Sequence, residues 1–253
     1  MSEKNKEYQY DDIVYGRNAV LELLKSGRDI NKIFVERGEK HGSIKEIIAK
    51  AKDAGVVIAE VEKAKLEHMT SENHQGVIAI VPPFDYCDIE DILDLAKEKG
   101  ENPFVVILDG IEDPHNLGAI IRTAETAGVH GIIIPKRRSA SVNSTVSKVS
   151  AGATTYLKVA RVNNVNDAIR NLKEAGLWVI GTDGEAKEFY NQVDLTGPIA
   201  LVIGSEGFGM SRLVKENCDG LVKIPMKGKI TSLNASVAAG IMMYEVVRQN
   251  AEK

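Results

Sequence analysis

The residues of this chain with the types and spacing for chemistry gather in three glycine- and polar-rich segments, each just after a hydrophobic stretch. In the first, LDGIEDPHNLGAIIRTAETAG, Asp113 and Pro114 make a turn, and Asn116 can cap a helix that begins near Leu117. Arg122 then lies about two turns into that helix. A helix N-terminus beside Asn116 suits an anion or a ribose hydroxyl, and the planar fork of Arg122 suits phosphate. Taken alone, the same residues also describe a helix cap and a surface cation. His115 is the one histidine within these segments, and it reads as a turn-stabilising residue because nothing beside it in sequence orients an imidazole for proton transfer.

The second segment is ALVIGSEGFGM, where Gly204, Gly207 and Gly209 let the backbone turn tightly and approach a ligand without a Cβ in the way. Glu206 inside that turn disfavours phosphate and suits a cationic or hydroxyl-bearing ligand, a sulfonium better than a triphosphate. The third is VKIPMKGKITSLNASVAAGIMMYEVVRQ, in which Ser232 or Asn234 caps a helix. Ala235, Ala238, Ala239, Met242 and Val246 form a stripe on that helix, read as core or as a subunit interface.

The elements that must position these residues are strands of a parallel sheet. Stretches such as FVVILD, GIIIP, LWVIGT, PIALVIG and GLVKIP alternate with helix-like stretches from Pro103 onward, which gives βαβ units and a mostly parallel, helix-covered sheet. In open α/β sheets, ligands bind at the carboxyl ends of the strands, where all three segments fall. The first third, with helices at GRNAVLELLKSG and SIKEIIAKAKDAG and strands at NKIFVER, VVIAEV and GVIAIV, reads as a separate small α/β module. The tandem prolines Pro82 and Pro83 close it. The expected organisation is thus a domain over 1–82, ordered from about residue 11, a linker over 83–102 and a second domain over 103–253.

Composition narrows the classes. Hydrophobic residues at 43% and charged residues at 27% are ordinary for a globular protein, so neither disorder nor a fibrous repeat is indicated. No apolar run approaches bilayer length and the opening MSEKNKEYQYDD is too polar for a signal core, so a cytoplasmic protein without membrane association is expected. Cys87 and Cys218 stand too far apart, in unlike contexts, to suggest a disulfide framework or a thiol metal site, and no metal is expected. A net charge of −4 gives no global support for nucleic-acid binding. Local clusters differ: Lys136, Arg137 and Arg138 form one, with Lys148 beyond it, and Lys223, Lys227 and Lys229 form another. The chain lacks a Walker A sequence, HExxH, paired CxxC, a GxSxG elbow and a strand followed by GxGxxG.

In this order, NLGAIIRTAETAGV, VIGSEGFGMS and IPMKGKITSLNASVAAGIMMYE resemble the three motifs of the SpoU (TrmH-like) branch of the SPOUT methyltransferase superfamily, over about Pro103 to Gln249. YGRNAVLELL with HQGVIAIV is similar to the small substrate-binding domain that precedes the catalytic domain in the ribosomal-RNA members. The resemblance implies a C-terminal domain whose tail is threaded into a trefoil knot, and a homodimer packed through the knot and final helix. It implies S-adenosylmethionine as cofactor, with Gly204, Ile224 and Leu233 as contacts and Thr182, Gly184, Met226 and Ala235 as neighbours. It implicates Arg122 in activating a ribose 2′-hydroxyl of RNA, with Asn116, Glu206, Ser232 and Asn234 lining the pocket. Lys136, Arg137 and Arg138 are candidate RNA contacts. The expected substrate is RNA rather than DNA, 23S ribosomal RNA at a guanosine. A transfer-RNA ribose methyltransferase and a non-catalytic RNA-binding assembly factor stand as alternatives.

Overall fold

A computed structural model describes residues 13–27, 29–38, 42–81 and 84–251, and the chain divides into two units between Asp85 and Tyr86. In the first unit, β1 (Ile13–Tyr15), α1 (Arg17–Lys25), β2 (Lys32–Glu36), α2 (Ser43–Asp53), β3 (Ile58–Val61), α3 (Lys63–Met69) and β4 (Val77–Ile80) follow in order. They form a mixed sheet of order β1-β4-β2-β3, in which β1–β4 and β2–β4 pair antiparallel and β2–β3 parallel. Its two faces bury separate clusters. Val20, Ile33, Val35, Ile47 and Val77 pack beneath α1 and α2, while Phe34, Leu66, Met69 and Ile78 pack beneath α3, as the period of two along a strand requires. The sequence reading has neither β1 nor α3, both of which are too short for periodicity to show.

The second unit contains α4 (Ile89–Lys99), β5 (Phe104–Asp109), α5 (Pro114–Thr126), β6 (Gly131–Pro135), α6 (Ser144–Val149), β7 (Lys158–Val162) and α7 (Val165–Glu174). Then come β8 (Trp178–Thr182), β9 (Glu188–Phe189), β10 (Ile199–Gly204), α8 (Arg212–Asn217), β11 (Gly220–Lys223) and α9 (Ala235–Ala251). Among the described residues the sheet has seven strands in the order β7-β6-β5-β10-β8-β11-β9, and every pairing is parallel. Continuous apolar runs such as FVVILD are what a strand covered on both faces needs, and Val105 to Leu108 are fully buried. Val105, Ile107, Val179 and Val202 pack with Ile92 of α4, Ile169 and Leu172 of α7 and Val214 of α8. The opposite face lies under α5 and α9, which also pack on each other.

The stretch read as a linker behaves differently. Its prolines 82 and 83, like the expected onset of order near residue 11, lie outside the described residues. Residues 86–99 belong to the second unit: Tyr86 Oη accepts from the Val142 amide at 2.8 Å, and α4 buries Ile89 and Ile92. A Cβ on Gly131 would come within 2.5 Å of Ile92 side-chain carbons, so β6 is built to receive this helix. Charge on the solvent face of α4 hides an amphipathic helix that belongs to the core.

His130, 2% exposed, ties the start of this unit together: Nδ1 accepts from the Phe104 amide at 3.1 Å and Nε2 faces Glu101 Oε2 at 3.0 Å. Burial lowers its pKa below the ordinary 6.5, outweighing the stabilising Glu101 contact. The unfolded chain therefore takes up this proton more readily than the folded one, so stability is full above about pH 6.5 and is lost as pH falls toward the depressed folded value. Melting temperature is expected to drop between about pH 7.5 and 5.5, and His130→Gln should flatten that dependence in thermal scans. The two thiols are held inert, burial pushing Cys87 up to about 11 and Cys218 up to about 12.

Candidate active site at the carboxyl edge of the parallel sheet

Because all seven strands run the same way, the loops after β5, β6, β8, β10 and β11 emerge at one edge. β5 and β10 are neighbours, with Asp109 opposite Gly204, so their loops rise side by side. Gly110, at φ +84°, allows this approach, for a Cβ there would meet Ser205 Cβ at 3.2 Å. Asp109 Oδ2 accepts from the Ser211 amide at 2.8 Å and ties the two loops a second time.

The β10 loop is a tight crown. Ser205 N–H donates to Gly209 O at 3.1 Å and Gly209 N–H donates back to Ser205 O at 2.9 Å, with Gly207 and Gly209 at φ +81° and +66°. Gly204 sits under it with no space to spare, since a Cβ would fall 2.3 Å from the Gly209 carbonyl carbon and 2.4 Å from the Met210 nitrogen. Backbone atoms cannot swing aside, so the position requires glycine.

Glu206 is the hub of the edge. Its Oε1 accepts from Asn116 Nδ2 at 3.1 Å, from Asn234 Nδ2 at 2.5 Å and from the Ala235 amide at 3.0 Å. Asn234 Nδ2 also donates to Asn116 Oδ1 at 2.9 Å, closing a triangle across segments over a hundred residues apart in sequence. Asn234 Oδ1 caps α9, accepting from the Ser236 and Val237 amides at 3.0 and 3.3 Å, so of the two caps left open by the sequence, Asn234 is the one used. Asn116 is not a cap: α5 begins earlier, at Pro114, with Asp113 as its N-cap accepting from the His115 amide at 2.9 Å. That frees Asn116, 8% exposed, to reach across to Glu206. His115 takes part in the turn through its backbone N–H.

Two hollows flank this triangle. The larger, about 640 Å³, is walled by Thr182, Gly184, Gly204, Ile224, Met226, Leu233 and Ala235, together with Glu206 and Ser232. The smaller, about 260 Å³, is walled by Gly110 to Asp113, Asn116, Ser205, Glu206 and Phe208. Arg122 lines neither. It is exposed on the outward side of α5 and makes no hydrogen bond or ion pair among the described residues. Lys136, Arg137 and Arg138 form the loop after β6, on the same edge as the hollows, with Arg137 and Arg138 exposed.

Several wall residues are absent from the sequence reading: Asp183, Glu185 and Lys215 in the larger hollow, Glu112 in the smaller and Phe208 in both. Asp183 pairs with Lys215 Nζ at 2.5 Å. Burial works to raise its carboxyl, but hydrogen bonds from Lys215 and the Glu185 amide outweigh it and hold the group below the usual carboxylate range. The signal for Asp183 was present, since it follows the hydrophobic LWVIGT strand as the other segments follow theirs. The helical stripe also divides: Ala235, Ala239, Met242 and Val246 are buried within the chain, and the outward apolar side of α9 carries Val237, Ile241 and Tyr244 instead.

Residues 103–244 match the SpoU rRNA Methylase family, and residues 13–87 match the RNA 2′-O ribose methyltransferase substrate-binding family. A Bacillus subtilis (strain 168) protein assigned to the TrmH family of tRNA/rRNA methyltransferases, YacO, is 50% identical, over 95% of this chain and 97% of its own length. Among solved structures, an AdoMet-bound rRNA methyltransferase from Sinorhizobium meliloti superposes with a TM-score of 0.59 at 28% identity, covering 94% of this chain and 87% of that one. A TrmH/SpoU tRNA-modifying enzyme from A. aeolicus gives 0.56 at 30% identity but covers only 60% of this chain and 77% of its own. The class so defined is that of the RNA methyltransferases. Within it, the chain belongs to the SpoU rRNA Methylase family.

Proposed function

We propose that this chain transfers a methyl group from S-adenosylmethionine to a ribose 2′-hydroxyl of 23S ribosomal RNA, at a guanosine. The observation that carries the reading is the larger hollow, which gathers the loop after β8, the crown after β10 and the segment after β11 around Gly204. Its volume of about 640 Å³ lies within the range of small-molecule sites. Its walls fit the cofactor: Ile203, Ile224, Met226 and Leu233 offer apolar surface, Asp183 and Glu185 offer acceptors for hydroxyls, and Glu206 favours a cation. When bound, S-adenosylmethionine supplies an electrophilic methyl group on a sulfonium.

The chain's own contribution is position. Asn116 and Asn234 hold Glu206 in one place, and Glu206, which lines both hollows and whose Oε2 accepts no hydrogen bond among the described residues, can accept from a substrate hydroxyl. Aligning that hydroxyl is the larger share of the catalysis. Arg122 cannot serve as a base, because a guanidinium stays protonated and has no acceptor. In this reading it stabilises the developing alkoxide while a substrate phosphate takes the proton.

Arg122 comes to that task through dimerisation. α9 packs beside α5 and leaves Val237 and Tyr244 about half exposed, at 49% and 50%. A homodimer packed through this apolar side brings the outward side of α5 to the seam between the copies. Sedimentation equilibrium at micromolar concentration is expected to give twice the 27.5 kDa chain mass, and a monomer would remove this role from Arg122. The trefoil threading belongs to the same reading, as the path by which residues 224–234 return from β11 to the β5 and β10 loops.

Ribosomal RNA is preferred over transfer RNA because the rRNA methyltransferase matches both units, whereas the tRNA-modifying enzyme covers 60% of the chain. The test is to incubate the protein and labelled cofactor with ribosomal and transfer RNA from cells lacking the gene, then digest to nucleosides. Labelled 2′-O-methylguanosine from 23S RNA is expected. Label only in transfer RNA would move the assignment to the second substrate, and no label in either would leave a binding protein.

A further inference from the structure

Phe208 is 94% exposed, although it stands between the two hollows and lines both. It sits on the crown whose base is fixed by the paired Ser205 and Gly209 backbone hydrogen bonds, so the ring is held out on a rigid support. A phenylalanine so placed adds nothing to the core, and its free face is a stacking surface beside the proposed methyl-transfer site.

The smaller hollow beneath it has one chemical character. At about 260 Å³ it falls just below the range of sites for drug-sized ligands, which suits a single base. Its charged walls are all acceptors, Glu112, Asp113 and Glu206, with no cation lining it among the described residues. Glu112 makes no hydrogen bond or ion pair among the described residues, and Glu206 keeps Oε2 open. The Asn116 amide nitrogen donates one of its two N–H groups to Glu206, which leaves a single neutral side-chain donor beside three carboxylates, so acceptors still predominate. A phosphate would be repelled, whereas a base edge rich in N–H donors would be matched.

We propose that the smaller hollow receives the base of the nucleotide to be methylated, stacked on Phe208, with Glu112 selecting guanine through its adjacent N1–H and N2–H donors. This rests on the methyl-transfer reading above and adds to it a positioning residue and a specificity residue. Stacking on exposed aromatics is the usual way proteins hold unpaired RNA bases, and carboxylates accept from base N–H groups.

The test uses the full chain and nine-nucleotide single-stranded RNAs, labelled for anisotropy: U4-G-U4, U4-I-U4, whose inosine lacks the 2-amino group, and U9. The guanosine RNA is expected to bind tightest and the inosine RNA less well. Phe208→Ala should weaken the guanosine RNA by roughly 5- to 150-fold, the loss that alanine substitution brings at a stacked base. Phe208→Trp should retain binding, and Glu112→Ala should narrow the gap between the guanosine RNA and U9. Equal binding of all three RNAs by the unsubstituted protein, no binding of any at millimolar concentration, or unchanged binding by Phe208→Ala would each overturn the proposal. Calorimetry with S-adenosylmethionine separates the two readings: loss of cofactor binding in the unsubstituted protein defeats methyl transfer, while intact cofactor binding with an inert Phe208 defeats only the base site.

Discussion

Gly204→Ala is expected to abolish measurable S-adenosylmethionine binding. The new methyl carbon would lie 2.3 Å from the Gly209 carbonyl carbon and 2.4 Å from the Met210 nitrogen, and both neighbours are main chain. Relief therefore requires the whole crown to lift, which displaces Ser205 and Glu206 from the wall of the larger hollow. Overpacking of this kind costs about 1–3 kcal/mol in stability, so the protein should fold with a lowered melting temperature. The loss of affinity should be on the order of a hundredfold or more, because a displacement of about 1 Å in a positioned site has that effect. Gly184→Ala is the internal control: the same hollow, but with nothing among the described residues within 4 Å of the added carbon. Calorimetric titration should show heat for Gly184→Ala and none for Gly204→Ala. Equal affinity in both would mean that the crown does not hold the cofactor.

The second large effect is expected at Glu206. Replacing it with alanine removes the acceptor for Asn116 Nδ2, Asn234 Nδ2 and the Ala235 amide together. Asn116 is buried, so its orphaned donor costs about 1–3 kcal/mol, and the start of α9 loses a favourable negative charge worth roughly 0.3–1 kcal/mol. At about 2–4 °C per kcal/mol for a protein of this size, a drop of several degrees in melting temperature follows. Methyl transfer should fall further than stability, on the order of a hundredfold in single-turnover assays, since both asparagines lose their anchor. Glu206→Gln keeps one acceptor oxygen and should recover most of the stability but less of the activity. Full activity in either variant would show that the triangle is scaffolding alone.

How much of this was legible beforehand depends on the range of the contact. Strands such as FVVILD and PIALVIG declare themselves because a strand buried on both faces must be apolar throughout, and a βαβ rhythm then sets their direction. Hence the edge on which the segments meet followed from local pattern. The identity of the partners did not. Asn116 looked like a cap because it follows a turn and precedes an apolar run, and only the earlier start at Asp113 and Pro114 releases its side chain. α4 looked like a connector because its charged face dominates the composition, while its fit against Gly131 is invisible without coordinates. Phe208 gives no signal in the sequence, because the glycines and Glu206 around it account for the turn and exposure is a property of the fold. Of the stripe on α9, Ala235, Ala239, Met242 and Val246 are buried while Ala238 lines the larger hollow, because helical spacing alone does not say which side meets the sheet and which is left outward.

The triangle of Asn116, Glu206 and Asn234 also bears on when this protein becomes competent. Its corners are spread over 118 residues, and the last of them opens the final helix. A nascent chain can emit every strand of the sheet while still lacking Asn234, so Glu206 waits without that partner until the segment after β11 has emerged. Such long-range closure is slow compared with local helix formation. Competence thus waits on the segment after β11: a chain that stalls or is cut before α9 would lack a corner of the triangle and be silent as an enzyme.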